Sequence, residues 1–375
     1  EELIFEITVN NEGENTDNQI VQITNEGNDV LNISSASISG SFETQFNEVS
    51  PNGAQTINPG ESIDYTVTYA PDLNNTDLGY QDAIIEIQSN DSDNPNFAIG
   101  LHALKKAGYE GGQEPALQDV VDALGIGIDV GWTNLANGVD PAPVGDEVEV
   151  ELWVKASDGP VKITPVGRYS PSELIPFGWY TDSGALLNEV GVLANGVDNA
   201  QTLFPPLESG SDEFDPLGAV FGIYTDSEVF SRTNYTEDAI NTGVAHRTRI
   251  YPNRDREGNP IANSFLVTFE DATNGDYQDY IFVLENVVSF EDGTLALDFS
   301  PDELGFTATI NQQDVPTQNI VLNGTGGITA QEVTLIASED WIVVPTVELG
   351  TPMIIEDDPQ GLGDGNYSAT VTASA

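Results

Sequence analysis

Residues 62–71 read SIDYTVTYAP. Ile63, Tyr65, Val67 and Tyr69 alternate with Ser62, Asp64, Thr66 and Thr68, the period of a strand with one buried and one wet face. NPGE at 58–61 supplies a turn before it, and Pro71 ends it. The same grammar extends outward through IFEITV (4–9), QIVQIT (19–24) and DAIIEIQS (82–89), joined by NEGEN, NEGND and SNDSDNP. Short alternating runs separated by Asn, Gly, Asp and Pro predict an all-β sandwich.

The pattern continues downstream through EVEVELWVKA (147–156), GPVKITPVGRY (159–169), AVFGIYTDS (219–227), HRTRIYP (246–252), SFLVTFE (264–270) and YIFVLENVV (280–288). Further strands are expected near 295–299, 304–309, 317–323, 331–337 and 366–373. A single short helix interrupts them. In PALQDVVDALG, Leu117, Val120, Val121 and Leu124 share a face, Pro115 suits the first turn and Gly125 the C-terminal cap. Two echoes, FGWYTDS (177–183) with FGIYTDS (221–227) and LANGVD (135–140) with LANGVD (193–198), predict pseudo-repeated hairpins. The Asn-Gly pairs of the second echo suit type I′ turns.

At 375 residues the chain exceeds one ordinary domain, and its charge is unevenly spread. Residues 1–104 hold 18 acids and no Lys or Arg, residues 291–375 hold 14 acids and none, and all 10 basic residues fall within 105–290. Three regions are therefore expected: 1–104 an immunoglobulin-like sandwich, 105–290 a larger sandwich or jelly roll opened by the helix, and 291–375 a further sandwich. The fold class expected is thus all-β, as tandem immunoglobulin-like β-sandwich modules.

A net charge of −52 argues against nucleic acid and anionic membrane as partners, since both are bound by cationic side chains. Such self-repulsion favours screening by salt or bound cations. An extracellular, saline setting fits this, while the alternative is acids that only confer solubility. Cysteine is absent, which leaves stability to packing and to ions. No apolar stretch approaches the ~20 residues of a membrane helix, and the N-terminal residues lack a signal-peptide pattern. The segment is expected to continue at both ends in a longer parent chain.

ITNEGNDVLNI (23–33), NPGESIDYTVTYAP (58–71) and IQSNDSDNPNFAIGLHA (87–103) resemble the immunoglobulin-like modules of bacterial surface proteins of the ASH and hydin type, the choice-of-anchor repeats. The resemblance implies a spacer or docking module without catalysis. LDFSPDELGFTAT, PTQNIVLNGTG, ASEDWIVV and GLGDGNYSATVTA resemble the BACON-type sandwich of secreted Bacteroidetes proteins, and imply that Trp341 is a core tryptophan. The middle region resembles an uncharacterised acidic β domain of large marine Bacteroidetes surface proteins, through EGGQEPALQDVVDALG, PVGRYSPSELIPFGWYTD and HRTRIYPNRDREGNPIANSFLVTFEDATNGDYQDYIF.

The candidate site lies in FEDATNGDYQDYIF (269–282). Glu270, Asp271, Asn274, Asp276 and Asp279 offer hard oxygens around Gly275, the ligand type that Ca2+ takes six to eight of. The D-x-D-x-D-G spacing of an EF-hand is missing. The segment resembles the G-D-x-x-D-Y loop of secreted β-modules associated with calcium, best matched at Asp276 and Asp279. Acids that merely cap the strand and solvate the loop are the alternative.

Two other readings attach to the middle region. Trp153, Trp179 and Tyr180 are candidate sugar platforms, with Trp153 placed on the polar face of EVEVELWVKA or else covered by a loop or neighbouring sheet. His246, Arg247, Arg249 and Tyr251 supply the residue types of a polysaccharide lyase, a cation for a uronate and groups to move protons. Strand alternation would put His246 and Thr248 opposite Arg247, Arg249 and Tyr251. The leading expectation is a non-catalytic structural or adhesive segment of a multidomain cell-surface protein. Its expected partners are other domains of the same parent chain, further copies in a fibre, and glycans.

Overall fold

A computed structural model of the chain describes residues 2–9, 16–74, 76–109, 112–131, 142–181, 183–196, 200–290, 296–308, 316–325 and 333–374. The fold is all-β. The first eight strands are β1 (Glu2–Thr8), β2 (Asp17–Thr24), β3 (Leu31–Ser39), β4 (Phe46–Ser50), β5 (Gln55–Ile57), β6 (Ser62–Tyr69), β7 (Gly79–Ser89) and β8 (Asn96–Lys106). They form two sheets, ordered β1-β8-β7-β3-β5 and β2-β6-β4. Among the described residues of these strands, only the β1–β8 pairing is parallel.

The strand quoted first behaves as its alternation requires. In β6, Tyr65, Val67 and Tyr69 are buried, against Phe5, Ile33, Phe46, Ile85 and Leu101 of the facing and flanking strands. Each such side chain stabilises by about 1.5–3 kcal/mol relative to exposure. The Phe46 and Tyr69 rings lie 4.9 Å apart, and Tyr69 donates its hydroxyl proton to Gln81 Oε1 at 2.8 Å, so the polar tip is satisfied inside the core.

The helix α1 (Leu117–Leu124) follows, its C-cap Gly125 left-handed at φ 75. Leu117, Val120, Val121 and Ala123 are buried. They pack against Ile4, Tyr80 and Leu104 from the outer face of the first sheet and against Val166, Leu266 and Ile281 from strands downstream. The helix thus fills the seam between the N-terminal sandwich and the middle strands. β8 runs straight through position 104, so the charge break falls inside a strand.

The middle strands are β9 (Trp153–Lys155), β10 (Val161–Tyr169), β11 (Ile175–Thr181), β12 (Leu186–Leu193), β13 (Gln201–Leu203), β14 (Leu207–Gly210), β15 (Glu213–Phe214), β16 (Gly222–Ser227), β17 (Arg232–Tyr235), β18 (Thr248–Arg254), β19 (Pro260–Phe269), β20 (Tyr280–Glu285) and β21 (Val287–Ser289). One sheet is ordered β13-β10-β20-β19-β18 with β15 also on β10, and a second β14-β12-β11-β16-β17. Phe177 of β11 meets Phe282 of β20 at 5.1 Å, joining the two sheets face to face.

The FGWYTDS and FGIYTDS echoes are neighbouring antiparallel strands, with Gly178 opposite Tyr224 and Tyr180 opposite Gly222. Glycine is needed at 222, because a Cβ there would meet the Tyr180 ring at 2.3 Å. The first LANGVD lies wholly outside the described residues, and the second partly so.

Contacts group the chain into two compact units, the first 1–149, 159–214 and 222–286, the second 150–158, 215–221 and 287–375. In the second, β9 pairs with β21, and Trp153 bridges to Phe221. Its later strands are β22 (Ala296–Ser300), β23 (Thr317–Thr325), β24 (Thr334–Ala337), β25 (Ile342–Val343), β26 (Pro352–Asp357) and β27 (Val371–Ser374). They form sheets β22-β23-β26-β25 and β24-β27 around Ile320, Leu322, Val333, Met353 and Ile355. The strand expected at 304–309 is absent among its described residues, 304–308.

Trp341 corrects an expectation, being only half-buried beside Tyr367, with ring centroids 6.5 Å apart, while aliphatic residues fill the core.

Candidate metal centre

β19 and β20 are adjacent antiparallel strands, and Phe269 lies opposite Tyr280. The loop between them begins and ends on acids, so Glu270 and Asp279 are brought together by the hairpin itself. Gly275 at φ 79 and Tyr277 at φ 57 turn the chain inward. One Glu270 oxygen, Oε2, then accepts the N–H groups of Gly275, Asp276 and Tyr277 at 2.8, 2.9 and 3.4 Å. Asp279 Oδ2 accepts the Asp271 N–H at 2.5 Å, and the Asn274 amide donates to Asp276 Oδ2.

Glu270, Asp276 and Asp279 each place a carboxylate oxygen within 4.8 Å of the others. Glu270 is 0 % exposed, and its Oε1, like Asp276 Oδ1, has no hydrogen-bond partner among the described residues. Leaving a buried charged acceptor unpaired costs several kcal/mol. Burial, and after it the Asp276 charge, push the Glu270 carboxyl up to about 7. Asp279 is raised well above the usual range by burial and then by Glu270 and Asp276. Three anions so placed need a proton or a cation among them.

The structure gathers three of the five candidate ligands. Asp271 is turned elsewhere: Asn234 Nδ2 donates to its Oδ1 at 2.9 Å and the Tyr280 hydroxyl to its Oδ2 at 2.7 Å. It is a strut between sheets. Asn274 reaches the cluster through its amide nitrogen on Asp276, a donor that holds the ligand in place.

The remaining candidates are tied to protein groups. Arg247 donates to the carbonyls of Glu270 and Asp271, both at 3.3 Å, and of Ala272, bracing the start of the acidic loop. Arg249 pairs with Glu147 and lies 4.8 Å from the Tyr277 ring centroid. His246 sits between Glu147 Oε1 at 2.9 Å and Asp238 Oδ2 at 3.0 Å. The strand starts at Thr248, so the expected alternation does not reach His246, which shares Glu147 with Arg249.

The sugar-platform expectation is corrected for two aromatics. Trp153 and Tyr180 are both 0 % exposed and have no face to offer a ring. EVEVELWVKA is a strand only at its end, which packs Trp153 inward. Tyr180 bonds Thr236 Oγ1 at 3.2 Å and accepts the Glu237 N–H at 3.1 Å. Trp179 is half-buried, stacked on Phe214 at 5.7 Å. Glu147 and Asp238, the partners of His246, were not among the candidates: Glu147 lies 99 residues away, a separation that leaves no local pattern, and Asp238, 8 residues away, lies outside the strands with no periodicity to single it out.

His246 carries a pH prediction. Burial disfavours the charged ring, but the hydrogen bonds it donates to the Asp238 and Glu147 carboxylates outweigh it and hold the pKa at about 9, above the ordinary 6.5. The stability this gives is complete below about pH 6.5 and is lost as pH rises through about 9. Urea midpoints should fall between pH 7 and pH 10 by the equivalent of roughly 1–3 kcal/mol, and His246→Gln should remove most of that slope. An unchanged slope in the variant would refute it.

No family model matches the chain, and no curated protein matches it in sequence. Solved structures similar to it include the Pseudomonas aeruginosa CupB2 chaperone (12% identity, TM-score 0.22, covering 62% of this chain and 94% of that one). The Escherichia coli chaperone DraB gives 12% identity and a TM-score of 0.22 over 62% of this chain and 89% of that one. SSP-19, an MSP-domain-like protein of Caenorhabditis elegans, gives 10% and 0.19 over 27% of this chain and 94% of that one. At these scores the likenesses carry no argument about function.

Proposed function

We propose that this chain is a non-catalytic structural or adhesive segment of an extracellular, multidomain cell-surface protein of the Bacteroidetes type, stiffened by Ca2+ held in the loop between β19 and β20. The observation that carries the reading is the cluster of Glu270, Asp276 and Asp279, with two carboxylate oxygens left without partners among the described residues in a chain of net charge −52. A hard divalent ion would neutralise the cluster and lock the hairpin. Oxygen ligands and the lack of His in the cluster favour Ca2+ over softer metals. Waters or backbone carbonyls would complete the coordination. The seam filled by α1 gives the first unit the continuous packing that a spacer under load requires.

Calorimetry tests this. Ca2+ at about 100 times its Kd stabilises a folded state by ~2.7 kcal/mol, which for a unit of this size is a rise of several degrees in Tm. Asp276→Asn with Asp279→Asn should abolish the rise. In EDTA the same variant should be at least as stable as the parent, because it removes buried like charges. A Tm indifferent to millimolar Ca2+ would sink the reading.

A further inference from the structure

A cleft of ≈ 310 Å3 opens beside β1, within the first unit, lined by Glu6, Asp17, Gln19, Lys106, Tyr109 and Phe204 among others. That volume is at the lower end of small-ligand sites, about 300–1,000 Å3. Its floor is electrically settled. Glu6 accepts Lys106 Nζ at 2.6 Å, the Tyr169 hydroxyl at 3.0 Å and the Leu203 N–H at 2.8 Å. Lys106 is only 3 % exposed, so the ion pair is a built base with little net charge to offer a ligand.

The rim is different. Asp17 and Gln19 are half-buried on one face of β2, and Asp17 Oδ2 takes the Glu6 N–H at 3.0 Å. Phe204 also lines the cleft, 53 % exposed and in the left-handed region at φ 50. That backbone is costly for a bulky residue. Leu203 N on Glu6 and Phe204 N on Val166 O at 3.0 Å hold it there.

We propose that this cleft binds a neutral or amino-bearing sugar ring, stacked on Phe204 with Tyr109 beside it, its hydroxyls met by the Asp17–Gln19 pair. An apolar ring and an acid–amide pair in one cleft suit a ligand with C–H faces and equatorial hydroxyls. Acidic glycans are disfavoured by Asp17 and by the −52 charge. The site is separate from the acidic loop and does not depend on calcium.

The test is calorimetric titration of the whole chain with cellobiose, laminaribiose, mannobiose and chitobiose, and with an oligogalacturonate as the acidic control, each in Ca2+ and in EDTA. At least one neutral or amino sugar should bind and the oligogalacturonate should not. Phe204→Gly should weaken binding about tenfold or more while leaving the unfolding midpoint equal or higher, since glycine relieves the left-handed backbone. Asp17→Asn should weaken binding without unfolding the chain. Silence across the neutral and amino sugars, binding confined to the acidic one, or binding that survives both substitutions would overturn the proposal.

Discussion

Arg168→Met is expected to destabilise the first unit by about 4 kcal/mol or more. Arg168 is 0 % exposed, yet its guanidinium faces no carboxylate at hydrogen-bond range among the described residues. It donates through Nε to Ser170 Oγ at 2.8 Å, through Nη1 to Ala194 O at 2.8 Å, and through Nη2 to Pro171 O at 2.9 Å and Glu173 O at 2.8 Å. Its other face lies 5.7 Å from the Tyr280 ring centroid. One planar fork therefore closes the turn after β10 onto the end of β12. Methionine keeps much of the volume but leaves three carbonyls and a hydroxyl unanswered, each costing about 1–3 kcal/mol where water cannot reach. Arg168→Lys keeps the charge but cannot span the same acceptors, so it should recover only part of the loss. Urea unfolding followed by circular dichroism reads the difference, and a shift below about 1 kcal/mol in the methionine variant would show the fork to be dispensable.

How much was legible in sequence depended on the range of the interaction. Strand alternation is local, and β6 and β7 bury the residues it selects. The helix was equally plain, because its apolar face and its Gly125 cap sit within one short segment. The acidic loop was partly legible for the same reason: Glu270, Asp276 and Asp279 are ten residues of chain from end to end, and a hairpin must bring the ends together. Asp271 was not separable from them, since Asn234, 37 residues away, decides where it points. EVEVELWVKA misled because alternation says which residues share a face and not which face is covered. Phe221 and β21 come from elsewhere in the chain to pair with Trp153.

The confinement of basic residues to the middle of the chain acquires a physical meaning at the seam, and the second large effect is expected there. Glu2 and Glu6 lie on the same face of β1, and each takes a cation from beyond position 104: Arg256 reaches Glu2 at 2.6 Å and Lys106 reaches Glu6 at 2.6 Å. The first pair is partly exposed and worth about 1 kcal/mol at most. The second is different, because Glu6 also holds the Tyr169 hydroxyl, Thr202 Oγ1 and the Leu203 N–H, while Lys106 stands over the Tyr169 ring at 5.2 Å. Glu6→Ala leaves the buried Lys106 ammonium with the Gln201 carbonyl as its remaining hydrogen-bond acceptor and takes the acceptor from the Tyr169 hydroxyl and the Leu203 N–H, and should cost about 3–5 kcal/mol. Removing both charges together, as Glu6→Gln with Lys106→Met, should cost less than Glu6→Ala alone, because no unpaired ion remains. A double-mutant cycle on urea midpoints measures that coupling. If the double variant is less stable than Glu6→Ala, then packing of the lysine stem over Tyr169 dominates the seam and the charge segregation has no stabilising role there.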